Sequence, residues 1–471
     1  MMELFCRIKR DGDVLGISPL FAHAKRIIVG FSGGADSSLL LSYFVCLRDT
    51  VEDFPEVRAV HVNHMIRGAE ADSDETFCRC RCAELSVPLE VRRIDVPALA
   101  VESGLGLEEC ARNVRYELFG SLAEDGVLVA TAHNADDNLE TVLFNLARGS
   151  GTGGLSGIPP VRDGYIVRPL LCLTGDEIRE GCRELGIPFA VDSTNVDEAY
   201  TRNFIRHSVV PKLKQVNSSA AMASVRAGMA LRSDDEFIRG LARDAVGQYL
   251  QGGSAEVPRD VMAALPDAVM SRAVVMLVGC VTEIAMSHEQ VRECRRLIVG
   301  GGTGKVSLPD GVTFEVAKNL VRAGRVREAE PFCFDVELPD GEECVKYSCA
   351  EGGFDLYFCR SECGLPETEE NIYKLSINTA VRFDTIYGRV FARSRMPGDT
   401  LYLGGHTRRL KKMICDRGIP ESERDRLPVI CDDDGVLLVP GLPVRGPAYA
   451  RAEDFSAGNV IYMLYCLYRK F

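Results

Sequence analysis

The stretch IIVGFSGGADSSLLL, Ile27–Leu41, decides how the rest of the chain is read. Its apolar opening (Ile27, Ile28, Val29) reads as a buried strand, a glycine-rich turn follows, and the leucine-rich run from Ser37 reads as a helix. Gly33 and Gly34 let backbone N–H groups approach an anion without Cβ interference. The helix start adds unpaired donors and the positive end of its dipole. Ser32, Ser37 and Ser38 add hydroxyl donors, and Asp36 adds a carboxylate. An ordinary tight strand-to-helix turn is the alternative reading.

No lysine closes this loop, so it is not the Walker pattern G-x-x-x-x-G-K-[ST]. It resembles the SGGxDS loop of the PP-loop ATP pyrophosphatases. The resemblance implies that ATP is held by Ser32, Gly33, Gly34, Ala35, Asp36, Ser37 and Ser38, with Mg²⁺ on Asp36. It also implies that pyrophosphate leaves when a substrate oxygen attacks the α phosphorus.

The chain has 471 residues, too many for one typical core, and is 46% hydrophobic and 26% charged. No apolar run approaches the roughly 18 residues of a membrane span, and MMELFCRIKRDGD lacks a signal-peptide core, so a cytoplasmic protein with no membrane partner is expected. The 18 cysteines then read as reduced thiols or small buried apolar residues. Cys78, Cys80 and Cys82 lack C-x-x-C spacing and are expected to fan apart on a helix. The net charge of −13 argues against wholesale coating of nucleic acid. Between Arg382 and Arg417, however, nine Lys/Arg stand against three Asp, a net of +6, and between Arg202 and Lys214 four basic residues stand against none. Such patches suit an RNA engaged at selected surfaces or an ordinary solvated face.

Strands are expected at Val57–Val62, Leu89–Ile94 and Val127–Ala132, with helices at about Asp72–Leu85, Glu108–Leu122 and Asp136–Leu146. This alternation predicts an α/β fold, a parallel, Rossmann-like sheet binding ligands beyond its carboxyl ends. It forms a catalytic domain over residues 1–215. A small, mainly helical middle domain is expected over 216–330, from helical patterns at Ala220–Leu250 and Met262–Val299, with a hairpin at Val306–Val316. An α+β C-terminal domain is expected over 331–471, with short linker strands and a helix at Arg408–Arg417. Residues 1–25 give no clear pattern. The glycines 149, 151 and 154 follow a helix instead of a strand, so they read as a flexible active-site loop and not as a dinucleotide fingerprint, and GGTGK at Gly301–Lys305 reads as a hairpin turn.

His133, Asp136, Asp137 and Glu140 cluster after the fourth strand, where they suit a metal, a cationic substrate or plain helix capping. Arg112 and Arg115 lie about one helical turn apart, placed to clamp a phosphate or a developing negative charge, or to pair with Glu108, Glu109 or Glu117.

SGGADS, HVNHMIRG (His61–Gly68), ARNVRYELF (Ala111–Phe119), TAHNADDNLET (Thr131–Thr141), RGSGTGGLSGI (Arg148–Ile158) and DSTNVDEAYTRNFIRH (Asp192–His207) occur in the order and rough spacing of the tRNA(Ile)-lysidine synthetases. Arg393–Gly441 is similar to that family's C-terminal RNA-binding domain. Asn134 and Asn138 depart from the family pattern, which usually has histidine and glutamine there. The resemblance implies an ATP-dependent ligase that joins L-lysine to carbon 2 of the wobble cytidine in the CAU anticodon of tRNA(Ile), by way of an adenylated intermediate. Asp36, Arg112, His133 and Asp137 would be catalytic, and Asp137 and Glu140 would hold lysine. Arg115, Arg202, Asn203, Arg206, Arg408, Arg409 and Lys411 would contact tRNA. A homodimer is compatible with the sequence. A tRNA 2-thiolation enzyme, the nearest rival, resembles proteins with paired C-x-x-C cysteines, absent here; an amide-forming synthetase would need an ammonia source.

Overall fold

The computed structural model describes residues 2–66, 68–190, 201–251, 254–325, 330–339, 344–360, 373–417, 419, 424–451, 453–454 and 460–469. The chain separates into two compact units, Met1–Glu236 and Phe237–Phe471.

In the first unit the strands are β1 (Arg26–Gly30), β2 (Glu56–Asn63), β3 (Leu89–Arg93), β4 (Val127–Ala130), β5 (Val161–Arg162) and β6 (Ile166–Val167), ordered β3-β2-β1-β4-β6-β5. All pairings are parallel except β5 with β6, which adds an antiparallel edge. Strand β1 reads as a continuous apolar run because both faces of the sheet are covered. Ile27 and Val29 enter one core with Leu39, Leu40 and Phe44, while Ile28 enters another with Val60, Phe119, Val129 and Ile166.

The helices are α1 (Met2–Val14), α2 (Ser18–Phe21), α3 (Ala35–Thr50), α4 (Ala69–Glu84), α5 (Val96–Ser103), α6 (Leu107–Ser121), α7 (Ala135–Ala147), α8 (Thr152–Leu155), α9 (Gly175–Glu184), α10 (Thr201–Phe204), α11 (Val210–Val216) and α12 (Ala220–Val246). A π turn at Ile205–Val209 joins α10 to α11. Helix α3 starts two residues before the leucine-rich pattern because Gly34 is extended and frees the next residue to turn. The opening residues, unreadable by pattern, form α1: Phe5 and Ile8 are buried in the main core, and Arg7 pairs with Glu177 at 2.6 Å. Cys78 and Cys82 share the buried face of α4, while Cys80 points to solvent. The three therefore divide between two faces, as i, i+4 spacing requires.

In the second unit, the strands β7 (Leu250–Gln251), β8 (Ser254–Pro258), β9 (Gly304–Ser307), β10 (Val312–Val316) and β11 (Leu320–Arg325) form an antiparallel sheet ordered β7-β8-β11-β10-β9. The helices α13 (Arg259–Ala263), α14 (Asp267–Gly279) and α15 (His288–Val299) share a core with it. This region is thus less helical than its pattern suggests. The hairpin expected at Val306–Val316 is β9 paired with β10, on which Val312, Phe314 and Val316 alternate inward, while β7, β8 and β11, which complete the sheet, lie outside that expectation. Nor is GGTGK a hairpin turn: it connects α15 to β9. Further on, the described residues between Cys333 and Arg469 form antiparallel sheets, with a basic hairpin at Thr400–Leu403 and His406–Arg409 leading into α16 (Leu410–Asp416).

Gly33 has φ of +88°, and a Cβ there would sit 3.1 Å from the Phe77 ring and 3.2 Å from the Cys78 sulfur. Gly33→Ala is therefore expected to cost about 1–3 kcal/mol, read as a lower denaturant midpoint at unchanged slope.

Candidate active site

The loop after β1 is held from within. The Ser32 N–H donates to Ser37 Oγ at 3.2 Å, the Ser32 and Ser37 hydroxyls lie 3.1 Å apart, and Ser38 Oγ donates to Gly33 O at 3.3 Å. Gly34 is the N-cap of α3 and offers no side-chain cap, so the first N–H groups of a 16-residue helix face outward beside these hydroxyls. A polyphosphate fits this arrangement of donors.

The next strand ends supply the rest. On β2, His61 Nδ1 donates to Phe31 O at 2.9 Å and ties the loop to the sheet. His64 is lowered to about 4 by burial and by the Arg115 charge. After β4, Thr131 Oγ1 lies 2.9 Å from His133 Nδ1. Asn134 caps α7, accepting from the Asp136 N–H at 2.8 Å and the Asp137 N–H at 3.1 Å, while Asp137 Oδ2 accepts from the Asn134 N–H at 3.0 Å. Capping and function are thus not alternatives here. One oxygen of Asp137 closes the capping box while the other, Oδ1, faces Arg206 at 3.2 Å.

Both departures from the family pattern have structural employment. Asn134 is the cap, and its side chain also hydrogen-bonds Asp36. Asn138 accepts from the Ile158 N–H at 2.8 Å and donates to Ser224 Oγ at 2.9 Å, tying the glycine-rich segment and α12 to α7. That segment is an ordered turn with α8 inside it, braced by Asn145 Nδ2 on Gly154 O at 2.7 Å, and not the loose loop its glycines suggest.

Asp36 is pushed up to about 6, first by burial and then by the charge of Asp137. Asp137 is raised in turn by burial and by Glu140. Glu140 is 2% exposed and receives Arg206 through Nε at 2.6 Å and Nη2 at 3.0 Å, with Arg202 Nε at 3.4 Å. Arg202 and Arg206, expected against tRNA, are therefore turned onto the two carboxylates expected to hold lysine. Asn203 lies between them in sequence, on α10. Arg67 and the first part of DSTNVDEAYTRNFIRH, residues 192–200, lie outside the described residues.

Arg112 and Arg115 make no ion pair with Glu108, Glu109 or Glu117 among the described residues. Instead Arg112 stacks on the Tyr116 ring at 5.3 Å. Their charges, with those of Arg168 and Arg202, add to burial in holding His133 well below its ordinary range, so the imidazole is neutral. Arg168 carries no motif signal, whereas Tyr116 lies inside ARNVRYELF and Lys214 at the end of the basic run from Arg202 without either being singled out. Lys214 pairs with Asp136 at 2.7 Å. Among the described residues no group of three or more His, Cys, Asp or Glu is arranged to hold a metal.

Two family models match the chain: a PP-loop domain over residues 13–213 and a TilS substrate C-terminal domain over residues 390–454. The tRNA(Ile)-lysidine synthase of Geobacillus kaustophilus is 32% identical over 445 residues, covering 90% of this chain and 92% of its own. The chain belongs to the tRNA(Ile)-lysidine synthase family. The Bacillus subtilis member is 29% identical over 92% of this chain and 93% of its own length. The Parabacteroides distasonis member is 45% identical over 204 residues, 43% of this chain and 45% of its own. The family uses ATP, and no helix among the described residues is long and apolar enough to cross a membrane.

A carboxyl raised by folding binds a proton that the unfolded chain releases, so its contribution to stability falls as pH rises from about 4 through about 6. Asp36→Asn is therefore expected to stabilise the protein at pH 7.5 by about 1 kcal/mol or more, read as a higher melting temperature, with no gain at pH 4.

Proposed function

We propose that this protein is a cytoplasmic tRNA(Ile)-lysidine synthase, which ligates L-lysine to carbon 2 of the wobble cytidine in the CAU anticodon of tRNA(Ile). The juxtaposition of Asp36 with Asp137 and Glu140 carries the reading, because it sets a nucleotide cradle beside a pocket for an ammonium group. The cytosine O2 attacks the α phosphorus of ATP and pyrophosphate leaves. The lysine ε-amine then attacks carbon 2 and AMP leaves with the oxygen.

Ser32, Ser37, Ser38 and the N–H groups at the start of α3 hold the phosphates, with donors fixed in advance of the charge they meet. Mg²⁺ fits at Asp36, since a cation would offset the crowding of Asp36 by Asp137, and Mg²⁺ is commonly held by one or two carboxylates plus substrate phosphates. It would supply charge neutralisation on the polyphosphate. Neutral His133, with Arg112 and Arg115, orients the cytosine and stabilises the activated oxygen. Asp137 and Glu140 bind the lysine ammonium in competition with Arg206. Asp137, already raised by its surroundings, accepts the proton that must leave before the amine attacks.

The middle and C-terminal regions carry the tRNA. The four residues His406–Arg409 are all exposed, and Arg408, Arg409 and Lys411 make no ion pair among the described residues, whereas Arg393 is held by Asp399 at 2.8 Å and Arg395 by Asp425 at 2.9 Å. The +6 of sequence is thus concentrated on one hairpin and the first turn of α16.

Incubation with tRNA(Ile), ATP and labelled lysine is expected to give AMP, pyrophosphate and labelled tRNA; ADP and orthophosphate would overturn the reading. Asp36→Ala should lower pyrophosphate release by about 100-fold or more, while Asp137→Ala should spare most of it and lose lysine incorporation. Arg408→Glu with Lys411→Glu should weaken tRNA binding and flatten the plot of log affinity against log salt by about 1–2 in slope. An affinity unchanged across salt would remove the hairpin from the interface.

A further inference from the structure

Arg168 is 1% exposed and follows directly on β6, whose Val167 carbonyl accepts the Thr131 N–H at 2.9 Å beside His133. Its guanidinium meets only neutral acceptors. Nη1 donates to Pro159 O at 2.6 Å and Nη2 to the Tyr116 hydroxyl at 3.2 Å, while Nε is buried without a partner. Among the described residues no carboxylate lies within ion-pair distance of it. A buried charge without a counter-charge is costly, and an apolar side chain of similar volume would do better if stability were all that mattered. The charge is therefore being used.

Three connections say for what. The Arg168 N–H also donates to Pro160 O at 2.9 Å, so one residue grips both carbonyls that end the glycine-rich segment. The start of that ending is gripped from α12, where Arg232 Nη2 donates to Ser156 O at 2.8 Å and Gly228 allows the approach, a Cβ there falling 2.5 Å from the same oxygen. Finally, Tyr116 lies on α6 between Arg112, 5.3 Å from its ring centre, and Arg162, 4.4 Å from it. We propose that Arg168 is a positioning residue for the ligation, a buried cation that locks the glycine-rich segment to the Tyr116 hydroxyl and so fixes α6, with Arg112 and Arg115, against His133.

The same charge acts on His133 through space. The groups facing the imidazole are Arg168 at the β6 end, Arg112 and Arg115 from α6, Arg202 from α10 and the Thr131 hydroxyl, with Asp137 and Glu140 on α7, the helix that follows it. After burial, Arg168 is the foremost influence holding the imidazole neutral. Tyr116, though burial opposes it, is drawn below its ordinary range by Arg168 and Arg112.

The inference rests on the proposed ligation, and the test separates the two. Lysidine formation by the full-length enzyme is measured against pH for wild type, Arg168→Met, Arg168→Lys and Tyr116→Phe, with melting temperatures and the KM for ATP. Arg168→Met is expected to lower kcat by about 10- to 100-fold at nearly unchanged ATP KM and to raise the acidic limb of the profile by about half a pH unit or more. Arg168→Lys, which keeps the charge but not the fork, should lower kcat while leaving the limb in place. Tyr116→Phe should lower kcat by about tenfold without moving the limb. Wild-type kcat in Arg168→Met, or losses that only track melting temperature with no shift of the limb, would overturn the inference. Should Arg168→Met fail to fold, wild-type kcat in both Arg168→Lys and Tyr116→Phe would do the same. A wild-type enzyme that forms no lysidine would instead overturn the reading of function.

Discussion

Carboxylates crowded at the end of a parallel sheet set the terms for the first unit. Asp36 stands at the start of α3 and Asp137 at the start of α7, and the two helices follow adjacent strands β1 and β4, so the backbone brings two like charges together where burial already disfavours either. Charges of the same sign in a partly dehydrated mouth are tolerated only if cations share it. Arg202 on α10, Arg206 in the π turn after it, and the helix dipoles behind each carboxylate answer that requirement.

On the other side of His133 the imbalance has the opposite sign. Arg112, Arg115 and Arg168 converge without ion pairs, and stacking on Tyr116 and carbonyl acceptors substitute for carboxylates. The site therefore has an acidic half and a basic half on either side of a neutral imidazole. An ammonium group suits the first; a phosphate or an oxygen gaining charge suits the second. A reaction that joins an amine to an adenylated base needs both within one substrate's length, and adjacent strand ends provide that without any long loop.

The glycine-rich segment shows why composition misleads about mobility. Its glycines permit the turn at Gly149, φ +72°, and the close passage of Asn138 at Gly157, and Gly228 of α12 allows that helix to approach, but Asn138, Asn145, Arg168 and Arg232 hold the segment at several points. Glycine here serves close approach, and the hydrogen bonds that remove its freedom come from residues far away in sequence.

By itself, the sequence determined the parallel sheet, the nucleotide loop and the identity of Asp36, Asp137, His133 and the Arg112–Arg115 pair as candidates, because strand runs, turn glycines and helix starts are local and the family motifs are contiguous. Pattern also foresaw α4, α6 and α7 to within a few residues and the hairpin of β9 with β10, but it missed the buried helix α1 and the strands β7, β8 and β11 that complete that sheet, whose signals are short. Only the tertiary structure decided that Arg206 lies on Glu140, that Asn134 and Asn138 are structural hydrogen-bonders, and that Arg168 sits uncompensated beneath Tyr116. Apart from the local cap at Asn134, these contacts join residues 20 to 86 positions apart, and they depend on a desolvation that no single position carries.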